Sequence, residues 1–170
     1  DEQISQYLEF HYGDEYFSVP NFPKVCVETL VEKIGEQHFA KILDLGCAVG
    51  RSSFELAKVA DHVDAIDFST RFIRNAMSLQ EHGQVRYMVV NEGELTSLKQ
   101  VALAELALQE TAQKIAFSQG DACNLKPSYT GYDVIFAGNL IDRLYESAQF
   151  LGRIHERINT RSEERRVGKE

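Results

Sequence analysis

The chain has 170 residues, 44% of them hydrophobic, and its 26 acidic against 18 basic side chains give a formal net charge of −8. That length suffices for one domain with a real core, while the acidic balance argues against duplex nucleic acid or an anionic membrane as partner, because no basic stripe exists to release counterions. No apolar run approaches a membrane span and no signal-peptide pattern opens the sequence; three cysteines without paired spacing (Cys26, Cys47, Cys123) point to a reducing, cytoplasmic compartment, and five scattered histidines predict no metal site.

Ile4 to Tyr12 carries Ile4, Tyr7, Leu8 and His11 at helical spacing, and Gly13-Asp14 breaks it. An aromatic loop with two prolines follows (Glu15 to Pro23), then a helix over Lys24 to Glu36 with Pro23 in its first turn. Residues 1–37 thus read as a helical and aromatic cap lying before the first sheet strand, packed against or over a ligand site. Tyr12, Tyr16 and Phe22 have two readings: walls of a pocket, or a core aromatic cluster.

Lys41 to Leu45 is an apolar run that suits a strand buried on both faces. It passes into a small-residue turn and then a helix, expected over Arg51 to Ala60. The order Asp44-x-Gly46-x-Ala48-x-Gly50 differs from the G-x-G-x-x-G fingerprint that surrounds a pyrophosphate. An acid opening the loop suits a cationic ligand better than a diphosphate. S-adenosylmethionine, with an ammonium and a sulfonium, is such a ligand, and the pattern resembles motif I of class I methyltransferases with Ala48 in place of the middle glycine. Gly46, Cys47, Ala48 and Gly50 then supply close backbone approach to the cofactor.

His62 to Asp67 reads as a second short strand, ending in an acid at the distance expected of a ribose-binding carboxylate, with Phe68 placed to flank the adenine. A helix over Thr70 to Glu81 ends at His82-Gly83. Val85 to Val90 reads as a strand, and Glu94 to Lys114 as a long helix with Leu95, Leu98, Ala102 and Leu106 in register. This pair, residues 85–114, is expected to be an insertion into the βαβ alternation. Ile115 to Gln119 restores the pattern and leads to Asp121-Ala122, the place where an acid and the next backbone N–H meet adenine in class I methyltransferases. Tyr132 to Ala137 is the fourth strand, Asn139 lies just past it, and Leu144 to Ile158 reads as a helix with Phe150, Leu151, Ile154 and Ile158 inward.

The expected architecture is therefore α/β: a Rossmann-like class I methyltransferase sheet with helices on both faces, over residues 38–160. Nothing after Ile158 reads as a fifth strand, so the domain is expected to be truncated after its fourth main strand and helix. Residues 161–170 (RSEERRVGKE) carry charge without an apolar stripe and read as a non-native tail or as a solvated one.

Several segments are more distinctive than motif I. FHYGDEYF, GDACNLKP and NLIDRLY, with ILDLGCAVGRSSFELA and IDFSTRFIR, resemble the C-terminal methyltransferase domain of the ovothiol-synthesis enzymes across most of residues 4–158. The resemblance implies S-adenosylmethionine-dependent methylation of an imidazole nitrogen of 5-thiohistidine. It also implies an upstream iron-dependent region, in the same or a separate chain, that makes the sulfoxide precursor. It implies Tyr12, Tyr16, His11 and Asp142 as candidates to hold the thioimidazole and names no catalytic base. Weak or no activity is expected of a sheet lacking its later strands. Two other readings stay open: a nicotinamide-dependent oxidoreductase, disfavoured by the loop spacing and the lack of a Tyr-x-x-x-Lys pair, and a non-catalytic cofactor-binding module.

Overall fold

A computed structural model describes residues 1–35, 37–93 and 95–159; the expected tail at 161–170 lies outside them. In chain order the elements are helices α1 (Glu2–Tyr12) and α2 (Phe22–Ile34), strand β1 (Phe39–Leu45), α3 (Arg51–Leu56), β2 (Ala60–Asp67), α4 (Thr70–His82), β3 (Gln84–Glu92), β4 (Leu95–Ala102), β5 (Ile115–Gln119), β6 (Val134–Phe136) and α5 (Ser147–Arg153). β1 pairs in parallel with β2 and β6, and β2 with β5, giving one sheet in the order β5-β2-β1-β6. Such parallel order with helical crossovers is the doubly wound α/β arrangement, whose ligand crevice lies beyond the strand carboxyl ends.

Successive residues of β1 face opposite layers, as the period of two requires. Ile42 joins a core with Leu8 of α1, Phe54 of α3 and Leu79 of α4, whereas Leu43 and Leu45 join Ile66, Tyr132 and Phe150 of α5 on the other face. All but Phe150 and Leu8 of these are essentially inaccessible, which explains why β1 reads as a continuous apolar run. α2 begins where Asn21 accepts the Lys24 N–H and Pro23 fills the first turn, and α4 where the Ser69 hydroxyl accepts from Phe72. Gly83 ends α4 in the left-handed conformation.

Four sequence expectations need correction. The helix after the glycine-rich turn stops at Leu56 rather than Ala60, because Ala60 is already paired with Phe39 in the sheet. Residues 95–114 do not form the expected long helix; its only helical part is a 3-10 turn over Ala112–Lys114. β4 pairs antiparallel with β3 from Gln84–Ala102 to Glu92–Leu95, forming a two-stranded hairpin separate from the main sheet. The helical spacing of Leu95, Leu98, Ala102 and Leu106 is coincidental: Leu95 and Leu98 point to solvent, while Val101 and Leu103 are buried. The β-rich Val85–Val90 segment leaves backbone groups that need partners, and the Asn91-Glu92-Gly93 reversal, with Gly93 at φ +56°, returns the chain to supply them.

The fourth strand is shorter than expected. Tyr132 leaves it to form an isolated parallel bridge with Ile158, its N–H donating to the Arg157 carbonyl and its own carbonyl accepting from Asn159. The last expected helix divides accordingly into α5 and a 3-10 turn over Ile154–Arg157, and Leu151 faces solvent instead of the core. Among the described residues no helix is long and apolar enough to cross a membrane.

Candidate functional site

A cavity of about 630 Å³ opens at the carboxyl ends of the sheet strands, between the glycine-rich turn and the cap. Its size lies within the usual range for small-molecule sites. One wall comes from the core: Gly46, Ala48, Asp67, Phe68, Gly120, Asp121, Ala122 and Asn139. The opposite wall comes from the inner face of α1 and the start of α2: Gln6, Tyr7, Phe10, His11, Phe22, Pro23 and Cys26.

The turn is held in an uncommon shape. Gly46, Ala48 and Gly50 all have positive φ (+75°, +47° and +91°). For Ala48 this is a sterically disfavoured state, of order 1–2 kcal/mol. Its N–H donates to Asp67 Oδ2 at 2.9 Å, while Gly46 and Cys47 both donate to the Ile66 carbonyl. At Gly50 a Cβ would meet the Phe117 ring at 2.9 Å, so this glycine serves close packing of turn against sheet.

Asp67 is the hub of the core wall. Oδ1 accepts the Ser69 N–H at 2.8 Å and Oδ2 the Ala48 N–H, leaving acceptor capacity toward the cavity. Burial pushes its pKa up, partly offset by those N–H donors. At the neighbouring strand end, Asp121 Oδ1 accepts from the Cys123 N–H and Oδ2 from the Tyr145 hydroxyl at 2.8 Å. Phe68 is 73% exposed and forms part of the rim.

Other expected site residues lie elsewhere. Asp44 is 1% exposed and sits behind the turn, its Oδ2 accepting the Ser52 and Ser53 hydroxyls at 2.7 and 2.6 Å. Burial raises its pKa to about 6, against the pull of those hydroxyls, and the Asp67 charge adds to the rise. Cys47 and Gly50 are likewise buried behind the lining, and burial pushes the Cys47 thiol well up, away from reactivity. Tyr12 is core: its hydroxyl donates to the Val49 carbonyl at 2.8 Å. Tyr16 hydrogen-bonds Glu9 and Lys99 and faces a second, smaller cavity between α1 and β3. Asp142 is exposed and does not line the main cavity.

His11 does reach it. The residue is 7% exposed, and its Nδ1 is fully buried without a hydrogen-bond partner among the described residues. Burial, with a contribution from the Arg51 guanidinium, pushes its pKa down to about 3.

Sequence reasoning missed Gln6, Tyr7, Phe10, Cys26, Arg143 and Tyr145. The signal available was that α1 is apolar or aromatic on two faces: Ile4, Leu8 and Tyr12 enter the core, while Gln6, Tyr7, Phe10 and His11 line the cavity. Among the described residues no three His, Cys, Asp or Glu side chains gather as a metal site.

The sequence matches the family described as "Methyltransferase domain" over residues 37–163, and the chain belongs to that family. A search of curated proteins finds no match. Among solved structures, a candidate S-adenosyl-L-methionine-dependent methyltransferase from Methanococcus maripaludis is 18% identical, with a TM-score of 0.60 over 92% of this chain and 57% of that one. Phosphoethanolamine N-methyltransferase 1 of Haemonchus contortus, solved with phosphoethanolamine and S-adenosylhomocysteine, is 18% identical with a TM-score of 0.55, covering 81% of this chain and 24% of that one. YcgJ of Bacillus subtilis is 13% identical with a TM-score of 0.55, covering 79% and 47%. At these identities the likeness is one of fold, a Rossmann-like α/β sheet, and the chain spans between 24% and 57% of the length of these three proteins.

Proposed function

We propose that this chain is an S-adenosylmethionine-dependent N-methyltransferase acting on the imidazole of 5-thiohistidine, as in ovothiol biosynthesis. The observation that carries the methyltransferase reading is the pairing of two strand-end acids, Asp67 and Asp121, around one cavity that also meets the glycine-rich turn. In this reading Asp67 accepts the ribose hydroxyls, Phe68 and Ala122 flank the adenine, and Asp121 faces its amino group. Gly46 and Ala48 let the chain approach the methionine part, with Asn139 beside it. Asp44, Cys47 and Gly50 act from behind, by holding the turn. Membership of the methyltransferase family and the cofactor product seen with the phosphoethanolamine enzyme support the same cofactor here.

When bound, S-adenosylmethionine supplies an electrophilic methyl group on a sulfonium. A neutral imidazole nitrogen is already nucleophilic, so the chain's task is alignment and exclusion of water. Such positioning supplies on the order of 7–11 kcal/mol of a barrier. The aromatic face of α1 closes over the core wall and serves that purpose. The thiohistidine assignment rests on the resemblance of FHYGDEYF, GDACNLKP and NLIDRLY to the ovothiol-synthesis enzymes. An iron-dependent sulfoxide-forming region, in the same or another chain of the cytoplasm, would then supply the substrate.

Two measurements test the proposal. Titration with S-adenosylhomocysteine and with NAD should show binding of the first alone; the reverse preference would assign an oxidoreductase. Labelled methyl transfer to 5-thiohistidine should exceed transfer to histidine, since a site built around the sulfur loses contacts without it. Equal transfer to both, or to neither, counts against the substrate.

A further inference from the structure

The two acids beyond the neighbouring strands β2 and β5 are held in the same manner, with one donor on each carboxylate oxygen. At Asp67 both donors are backbone N–H groups, from Ser69 and Ala48. At Asp121 one is the Cys123 N–H, on Oδ1 at 2.9 Å, and the other is a side chain: the Tyr145 hydroxyl donates to Oδ2 at 2.8 Å. That hydroxyl arrives from a segment whose Asn139, Leu140, Arg143 and Leu144 also line the cavity. The segment is anchored at two points: Leu140 packs so closely on Gly46 that a Cβ there would meet it at 2.9 Å, and Arg143 Nη1 donates to the Tyr7 hydroxyl at 3.1 Å. The Tyr145 residue is nevertheless 70% exposed, so core packing does not account for a hydroxyl turned inward to a strand-end acid. Its hydrogen bond to Asp121 pushes the phenol pKa up to about 12, which keeps the group a donor throughout the neutral range.

We propose that Tyr145 is a positioning residue for the purine of the cofactor: its hydroxyl fixes the plane of the Asp121 carboxylate so that a remaining lone pair meets an exocyclic amino group, which makes the site specific for a 6-aminopurine. The inference rests on the S-adenosylmethionine reading and adds the residue that sets which nucleoside the site accepts. A carboxylate has about four lone-pair sites, and at Asp121 two are taken, leaving two for N–H donors in the cavity. The last torsion of an aspartate is broad, so a carboxylate held on one oxygen alone turns freely about it. Held on both, it presents its acceptors in a fixed direction, and binding does not have to order it. Asp67 obtains this from two backbone groups, whereas Asp121 depends on a side chain that a single substitution removes. A 6-oxo purine would bring a carbonyl oxygen against the carboxylate, and a purine without a 6-substituent would leave it without a donor.

The test uses the whole chain, titrated calorimetrically with S-adenosylhomocysteine and with its 6-desamino analogue, in which hydrogen replaces the adenine amino group. The parent should prefer S-adenosylhomocysteine by about tenfold or more, because the analogue offers Asp121 no donor. Tyr145→Phe keeps the ring and removes only the hydroxyl. It should weaken S-adenosylhomocysteine by about fivefold and leave the analogue within about twofold, so the preference shrinks. In an Asp121→Asn background the same substitution should change S-adenosylhomocysteine affinity by less than about twofold, since the two residues act as one unit. Equal weakening of both ligands by Tyr145→Phe would make Tyr145 a structural contact and overturn the inference, as would unchanged affinities or additive losses in the double variant. Tighter S-adenosylhomocysteine binding would make the hydroxyl a competitor of the amino group for Asp121 and overturn it too. A parent that binds both ligands equally would separate Asp121 from the amino group and overturn this inference alone; a parent that binds neither would overturn the methyltransferase reading with it.

Discussion

The Tyr12 hydroxyl donates to the Val49 carbonyl at 2.8 Å, fastening the end of α1 to the glycine-rich turn. The cap is therefore tied to the glycine-rich wall of the cavity through the backbone that shapes it. Tyr12 is fully in the core, its ring under the Arg51 guanidinium at 5.5 Å, and burial pushes its phenol well above the usual range.

Tyr12→Phe removes that single hydroxyl and leaves an inaccessible carbonyl without its partner. The expected loss is about 1–2 kcal/mol of folding stability. Urea unfolding of the variant beside the parent reads it, and an unchanged midpoint would show that the turn holds itself.

Asp67→Ala should weaken S-adenosylhomocysteine binding by about 1.5–3 kcal/mol, the scale of hydrogen bonds to a charged group. The substitution also frees the Ala48 and Ser69 N–H groups, so the fold of the variant is confirmed first by its unfolding transition. A folded variant with parental affinity removes Asp67 from the cofactor's contacts.

Much of the sheet was legible because each of its strands announces itself locally. β1, β2 and β5 are short apolar runs, and each gives way to a turn residue or acid at its carboxyl end. Those ends converge in a doubly wound sheet, so Asp67 and Asp121 meet although 54 positions apart. What the sequence could not show was orientation. Asp44, at the end of its strand, points behind the turn toward Ser52 and Ser53, and nothing in its spacing distinguishes that from facing the ligand. The hairpin was hidden for another reason. Its leucines satisfy helical spacing by accident, and the decisive partner, β3, lies outside the window that periodicity inspects.

That hairpin gives a direct test of the corrected reading. Leu98 is 64% exposed and Val101 is 6% exposed, whereas a helix over these residues would bury Leu98. Leu98→Ser should change stability by less than about 0.5 kcal/mol, and Val101→Ser should cost about 1.5–3 kcal/mol. Comparable losses at the two positions, measured by chemical denaturation, would revive the helix.

The last prediction concerns acid. His11 is held neutral by burial, its pKa pushed down to about 3 from an ordinary 6.5. The unfolded chain takes up a proton there below pH 6.5 and the folded chain does not. This contribution to stability is therefore complete above that pH and drains away as pH falls toward 3. Asp44 works in the opposite sense. Its pKa is pushed up to about 6 from 3.8, so the folded chain holds a proton that the unfolded chain releases. Its contribution is complete below pH 3.8 and is lost as pH rises through 6. Between about pH 4 and 6 the two oppose each other, each with a slope of at most about 1.4 kcal/mol per pH unit. Asp67, also raised, acts with Asp44, while the lowered carboxyls of Glu9 and Asp64 act with His11. Removing one member of the opposed pair exposes the other against this common background. Relative to the parent, His11→Phe should gain stability as the solution is acidified from pH 6.5 to 4, and Asp44→Asn should lose it. Urea midpoints of the three proteins across that range decide the matter, since parallel pH profiles would mean that neither group is held away from its ordinary pKa.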